Sequence, residues 1–260
     1  MSKILPSTLQ VYCLPALSDN YIFMLMDVSS RTVAVVDAGE PLPVLDFLRS
    51  RNLDLSMILN THYDGDHVAA NWDLLDAFPG VPVYGSAIDR GRIPGQTVFL
   101  NDGDRVAVGD SIAEVMHLPG HRKGHLAYHF PESGDLFCGD ILFSAGSGRL
   151  KDCPPETMQQ SLARVRQLPD RTKIWCAHEY TLANLQFACT IEPENAELQT
   201  RMQEVIDLRS RNEPTIPTEL GFEKRTNPFL RWDSLNIRSR LGTIDDIATY
   251  AEIRRRKNEF

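Results

Sequence analysis

Along the first half of the chain, short apolar runs alternate with turn residues. Residues 9–14, 21–26 and 32–37 are rich in β-branched and aromatic side chains, which predicts strands. Gly39-Glu40-Pro41 opens a helical stretch to Ser50, with Leu42, Leu45 and Leu48 at helical spacing. Residues 56–60 read as a buried strand. The polar segment 61–67 follows it, and then a helix through Phe78. Residues 98–100, 105–108 and 112–118 read as a meander, with Asp102-Gly103-Asp104 as a turn. Residues 127–130 and 136–138 continue it, and 174–176 form the last strand. From Thr181 onward the pattern is helical, with three or four segments and no good strand. The longest covers 194–212, Pro214 and Pro217 break it, and Asp233 begins another. The pattern thus predicts a mixed α/β part through about residue 178 and a helical tail packed directly on it.

Composition narrows the class. The 260 residues carry 27 basic and 35 acidic side chains, for a net charge of −8, with 42% hydrophobic residues. These fractions fit a globular protein with a proper core. The negative charge argues against nucleic acid as a partner. No apolar run approaches the ~18 residues that a membrane span needs, and residues 1–6 lack the apolar core of a signal peptide. Cys13, Cys138, Cys153, Cys176 and Cys189 are scattered, odd in number and without a C-x-x-C pair. They predict small buried hydrophobes in a reducing, cytoplasmic compartment.

The chemistry concentrates in Thr61-His62-Tyr63-Asp64-Gly65-Asp66-His67, where four potential metal ligands fall within six residues after a buried strand. By itself this segment reads equally as a solvated turn. Three more segments repeat the placement. Leu118-Pro119-Gly120-His121, Phe137-Cys138-Gly139-Asp140 and Trp175-Cys176-Ala177-His178 each end a strand with a histidine or an aspartate. Ligands gather where strands end in open α/β architectures, so four such ends predict a metal site. His117 and His129 lie in strand patterns, and His125 reads as a residue that supports the ligands.

This set resembles the signature of the metallo-β-lactamase superfamily, T-H-x-H-x-D-H with later His, Asp and His. Within it the chain looks like the glyoxalase II (hydroxyacylglutathione hydrolase) family. The likeness covers nearly the whole chain: Ser18-Asp19-Asn20-Tyr21, Cys138-Gly139-Asp140, Gly148-Arg149, Ala177-His178-Glu179-Tyr180-Thr181, Asn227-Pro228-Phe229-Leu230-Arg231 and the basic end Arg254-Arg255-Arg256-Lys257. The resemblance implies an α+β fold. A metallo-β-lactamase-like αββα sandwich over 1–178 would hold the metals, and a small all-helical C-terminal domain over 179–260 would bind substrate. It implies two divalent ions, zinc, iron or manganese. One would be held by His62, Asp64 and His121, the other by Asp66, His67 and His178, with Asp140 between them. Asp66 would combine ligation with orienting the nucleophile. The implied reaction is attack of a metal-bound hydroxide on S-D-lactoylglutathione, releasing glutathione and D-lactate, by a cytoplasmic monomer acting on a small molecule.

Asp64 departs from the pattern, standing where the signature has its second histidine. A neutral donor becomes an anionic oxygen, which tilts preference toward harder ions such as manganese or iron(II). Either the aspartate reaches the ion or a water fills the gap. Lys151 replaces an aromatic residue after Arg149, and Arg122-Lys123 follow His121 where the family usually has threonine. The resemblance assigns Arg149, Lys151, Tyr180, Arg254 and Lys257 to substrate binding, the cations facing the carboxylates of glutathione. Read without it, the cations at 254–257 are an exposed helix end that meets the helix dipole. The competing functions are a mononuclear-iron persulfide dioxygenase, a diverged homologue with weak or altered activity, and, more remotely, β-lactam hydrolysis.

Overall fold

A computed structural model describes residues 9–260; the signal-peptide reading of residues 1–6 lies outside the described residues. The chain divides into two compact units. The first runs to His117 and takes in Leu126–Phe137; the second holds Leu118–His125 and Cys138–Phe260.

The first unit is built on a sheet of six strands in chain order: β1 (Leu9–Ala16), β2 (Asn20–Asp27), β3 (Val33–Val36), β4 (Met57–Leu59), β5 (Val83–Ser86) and β6 (Val98–Leu100). The pairs β1–β2 and β2–β3 are antiparallel, and those from β3 to β6 are parallel. Parallel neighbours need crossovers. Helix α1 (Pro41–Arg51) supplies one between β3 and β4; α2 (Gly65–Val68) and α3 (Asn71–Ala77) supply the next. Strands covered on both faces read as continuous apolar runs, and every residue of β3 and β4 is buried.

Helix α1 starts at a proline that needs no N–H partner there, and ends at Asn52 in the left-handed region. Its buried stripe is Val44, Phe47 and Leu48, whereas Leu42 is 66% exposed. The expected Leu42–Leu45–Leu48 stripe is therefore rotated. The polar segment 61–67 ends in a short helix not expected there, α2, and the expected helix through Phe78 is α3, which begins only at Asn71. The strands β7 (Arg105–Val108), β8 (Ser111–His117), β9 (Leu126–Phe130) and β10 (Asp135–Gly139) form the antiparallel meander. Residues 98–100, expected within it, pair instead with β5, so β6 ends the first sheet. Inside the first unit the rings of Phe23 on β2 and Phe137 on β10 meet at 5.4 Å.

The second unit takes over β10 at Cys138. It contains the hairpin β11 (Leu142–Phe143) and β12 (Gly146–Ser147), helix α4 (Pro155–Arg166) and strand β13 (Lys173–Cys176). Five helices follow among the described residues: α5 (Thr181–Ile191), α6 (Ala196–Ser210), α7 (Leu220–Thr226), α8 (Leu235–Leu241) and α9 (Asp246–Glu259). Asn195, Ser234 and Asp245 cap α6, α8 and α9 with side-chain oxygens. Against the expectation of a strandless tail, β14 (Thr218–Glu219) pairs with β13. Two residues after a proline carry no periodicity from which to read it.

The tail holds the β11–β12 hairpin from several sides. A hairpin of two-residue strands satisfies few of its own backbone groups, and the rest need partners. Asn227 donates to the carbonyls of Phe143 and Gly146, and Asn184 to that of Ser144. Glu223 accepts from Ala145 N–H, and Arg254 donates to the Ser147 carbonyl. Behind the hairpin lies the buried ion pair Arg201–Glu223, in which Arg201 also donates to Ser144, Thr218 and Thr226. A buried charge left without its partner is costly. Arg201→Ala is expected to lower unfolding stability by about 3–5 kcal/mol, read by chemical denaturation. A loss under 1 kcal/mol would show that the pair does not hold the tail.

Candidate metal centre

In the first unit the segment after β4 delivers its donors to one place. Among them, His62 and His67 are fully buried, their rings 4.1 Å apart. Asp64 is 8% exposed and stands at the start of α2, with its Oδ2 3.5 Å from His62 Nε2. Asp66 Oδ2 lies 3.4 Å from His67 Nε2, and its side chain is 39% exposed.

A residue that the sequence reading missed organises this group. Asp37, buried at the end of β3, accepts from Thr61 N–H at 2.8 Å, Thr61 Oγ1 at 2.6 Å and His67 Nδ1 at 3.0 Å. Thr61 has given its only hydroxyl proton to Asp37, so its oxygen accepts from His62 Nδ1, 3.0 Å away. Both rings are thereby held as the Nδ1–H tautomer, and both Nε2 atoms present lone pairs. The available signal was Val-Val-Asp37-Ala-Gly, an acid at the end of an apolar strand. Its left-handed φ of 54° was not readable from that pattern.

Two further details fix Asp66. Asn20 Nδ2 donates to its Oδ2 at 3.1 Å and faces its carbonyl at 3.4 Å. A Cβ at Gly39 would stand 2.2 Å from the same carbonyl oxygen, so only glycine admits this approach.

The second unit has its own cluster. Asp140 Oδ2 lies 3.5 Å from His121 Nε2, and its Oδ1 lies 3.4 Å from His178 Nε2. His121 Nδ1 donates to the Arg149 carbonyl at 2.9 Å, which again leaves Nε2 as the donor atom. His125 Nε2 accepts from Asp140 N–H at 3.1 Å, the supporting position expected of it. Gly148 allows the Asp140 carbonyl within 1.8 Å of where its Cβ would be. His117 and His129 lie in β8 and β9, as expected.

These four N···O separations, 3.4–3.5 Å, are too long for direct charge-assisted hydrogen bonds. Two donors each ~2.1 Å from one ion at a tetrahedral angle stand about 3.4 Å apart. Imidazole and carboxylate donors at this spacing suit divalent transition metals.

Of the cations expected to bind substrate, Arg149 and Lys151 follow the β11–β12 hairpin, and Arg254 and Lys257 lie on α9. Arg254 is only 4% exposed, which corrects the exposed-helix-end reading for this residue. Burial, together with the like charge of Arg149, pulls its guanidinium down to about 10 despite Tyr250. Burial and the charges of Arg254 and Arg149 pull the Lys257 ammonium down to about 8. Arg149 and Arg254 thus lie close enough to Lys257 for their charges to disfavour its own. Lys151 is exposed, its backbone N–H on the His121 carbonyl. Tyr180 lies flat on the His178 ring, centroids 4.7 Å apart. The five cysteines form no disulfide; Cys138 and Cys176 are buried, and burial pushes the Cys176 thiol up to about 12. Cys13, Cys153 and Cys189 are only partly buried.

Comparison with known proteins follows these features. The metallo-β-lactamase superfamily model matches residues 22–178, and the model of the hydroxyacylglutathione hydrolase C-terminus matches 179–260. A hydroxyacylglutathione hydrolase of Nostoc punctiforme is 55% identical, covering 97% of this chain and all of that protein. Proteins of the same name from Cyanothece and Synechocystis are 54% and 52% identical at the same coverage. Among solved structures, the BLEG-1 B3 metallo-β-lactamase has a TM-score of 0.64 at 21% identity, over 85% of this chain and 99% of that one. ETHE1 from Myxococcus xanthus has 0.64 at 21%, over 96% and 97%. A protein solved in a di-iron-bound form has 0.58 at 27%, over 85% and 100%. The fold is the metallo-β-lactamase fold with a helical C-terminal segment.

The role of Asp37 is testable. Asp37→Asn keeps the shape but weakens the acceptor that sets both histidine tautomers. Metal affinity is expected to fall about 10–100-fold, measured by chelator competition; unchanged affinity would detach Asp37 from the cluster.

Proposed function

The chain belongs to the hydroxyacylglutathione hydrolase family of the metallo-β-lactamase superfamily, and we propose on that footing that it cleaves S-D-lactoylglutathione to glutathione and D-lactate. Its class of reaction is hydrolysis of glutathione thioesters. The observation that carries the metal assignment is the pairing of donors. The first unit has two separate pairs, His62 with Asp64 and His67 with Asp66, and the second gives each oxygen of Asp140 its own histidine. Donors paired in this way serve two ions. His62, Asp64 and His121 would hold one, and Asp66, His67 and His178 the other, with Asp140 shared. Zinc, iron or manganese bound there supplies Lewis acidity and acidifies water toward neutral pH.

The side chains divide the remaining work. Asp66, open to solvent at one edge and steadied by Asn20, orients the attacking water. Asp37 keeps both Nε2 lone pairs free of protons. Water adds to the thioester carbonyl, the C–S bond breaks and glutathione leaves as thiolate, a good leaving group that needs no strong acid. Arg149, Arg254 and Lys257 attract the two glutathione carboxylates, with Tyr180 beside them and Lys151 at the rim. Reduced glutathione and unbridged cysteines fit a cytoplasmic setting. The reading is of a monomer acting on a small molecule, without nucleic acid or membrane. Among the described residues no helix is long and apolar enough to cross a membrane.

The reading is tested by loading the protein with each ion in turn and following loss of S-D-lactoylglutathione. Activity that vanishes with a chelator and returns with metal supports it; no hydrolysis with any ion overturns it. Asp64→His, which replaces a hard oxygen donor, is expected to raise zinc uptake over manganese by roughly tenfold, read by competitive loading and elemental analysis. An unchanged ratio would place Asp64 outside the ligand set.

The Lys257 ammonium gives a pH signature. Its folded value is depressed to about 8, so it is charged below that pH and neutral above it. KM for the anionic substrate is expected to be flat near pH 7 and to rise several-fold as pH passes 8, with kcat not following. Lys257→Arg, charged throughout, should flatten the rise; a rise that persists assigns it to another group.

A further inference from the structure

The turn between β1 and β2 carries Leu17, Ser18 and Asp19, framed by the paired residues Ala16 and Asn20. Leu17 has a φ of 50°, in the left-handed region that side chains with a Cβ enter at a cost. A carboxylate holds it there, since Leu17 N–H donates to Glu40 Oε1 at 2.7 Å. The side chain is 51% exposed, so packing returns little of that cost. Its Cδ1 and the Asp66 carbonyl oxygen crowd the same spot. From the place a Cβ on Gly39 would take, they stand at 3.1 and 2.2 Å. The residue that closes the turn, Asn20, holds Asp66 through its side-chain amide. An isobutyl group held in a strained backbone thus stands near the backbone carbonyl of Asp66, the cluster aspartate whose side chain is most open to solvent.

We propose that Leu17 is a specificity-determining residue, whose side chain forms the apolar wall against the acyl group of the thioester on the side away from sulfur. The inference rests on the thioester hydrolysis proposed above. Beyond its carbonyl the lactoyl group ends in a hydroxyl and a methyl. Histidines and aspartates at the cluster discriminate polarity, whereas the size of an acyl group is read by an apolar contact. The Glu40 tether fixes the backbone from which the leucine projects, so the wall has a set position.

Wild type, Leu17→Gly and Leu17→Phe are compared on S-D-lactoylglutathione and S-D-mandeloylglutathione, with metal content measured for each. Glycine adopts the φ of this position freely, so that variant removes the side chain without adding strain. The mandeloyl-to-lactoyl ratio of kcat/KM is expected to rise about 10-fold or more in Leu17→Gly and to fall in Leu17→Phe, at unchanged metal content. A ratio within twofold of wild type in both variants overturns the proposal, as does loss of metal in both, which would mark a structural role. Wild type that hydrolyses neither thioester would instead sink the hydrolase reading, and the acyl wall with it. An active wild type with unaltered selectivity sinks the acyl wall alone.

Discussion

One buried carboxylate sets the state of the first donor group. Asp37 collects the amide and hydroxyl of Thr61 and the Nδ1 proton of His67, and through Thr61 it also decides the proton on His62. A fully desolvated anion is unfavourable unless every lone pair is engaged. The segment after β4 can therefore not relax without leaving Asp37 stranded. The same bonds that make the segment stable make its histidines basic at Nε2 and nowhere else. Stability and chemistry are here a single arrangement of protons.

The second unit reaches a similar end by different means. Its Asp140 follows β10 directly and is fastened by His125 and by the close approach that Gly148 permits. The hairpin beyond it depends on the helical tail for hydrogen bonds that its short strands cannot make. Arg254 belongs to both tasks: one nitrogen bonds the Ser147 carbonyl, while its charge adds to the field of Arg149 and Lys257.

Much of this was legible in the sequence, for physical reasons. Apolar runs that stop at His62, His121, Asp140 and His178 mark strand ends, because an apolar strand cannot continue through an ionisable residue without burying it. The longest helix of the tail was legible from its length and the prolines that follow it, whereas five helices stand where three or four were expected. Asp37 was not, because an acid at a strand end looks the same whether it faces water or a histidine. Helix α2 was not legible, because a single turn of Gly65-Asp66-His67-Val68 is too short to show a helical period. The strand β14 is stabilised wholly by its pairing with β13, which no local pattern records. Leu17 carried no signal in the sequence, since exposure and backbone strain both belong to the third dimension.

On the proposed reaction, Asp64 bears on how the cycle would end. It is nearly buried beside His62, so its negative charge is felt at close range and is poorly screened by solvent. If two ions are held as proposed, a third carboxylate beside them would leave less surplus positive potential than an imidazole in its place. On the proposed reaction the hydroxy acid left after cleavage would be an anion, and a weaker residual field would let it depart sooner. Turnover at high lactate concentration would then be limited less by lingering product than in a relative that carries histidine at this place.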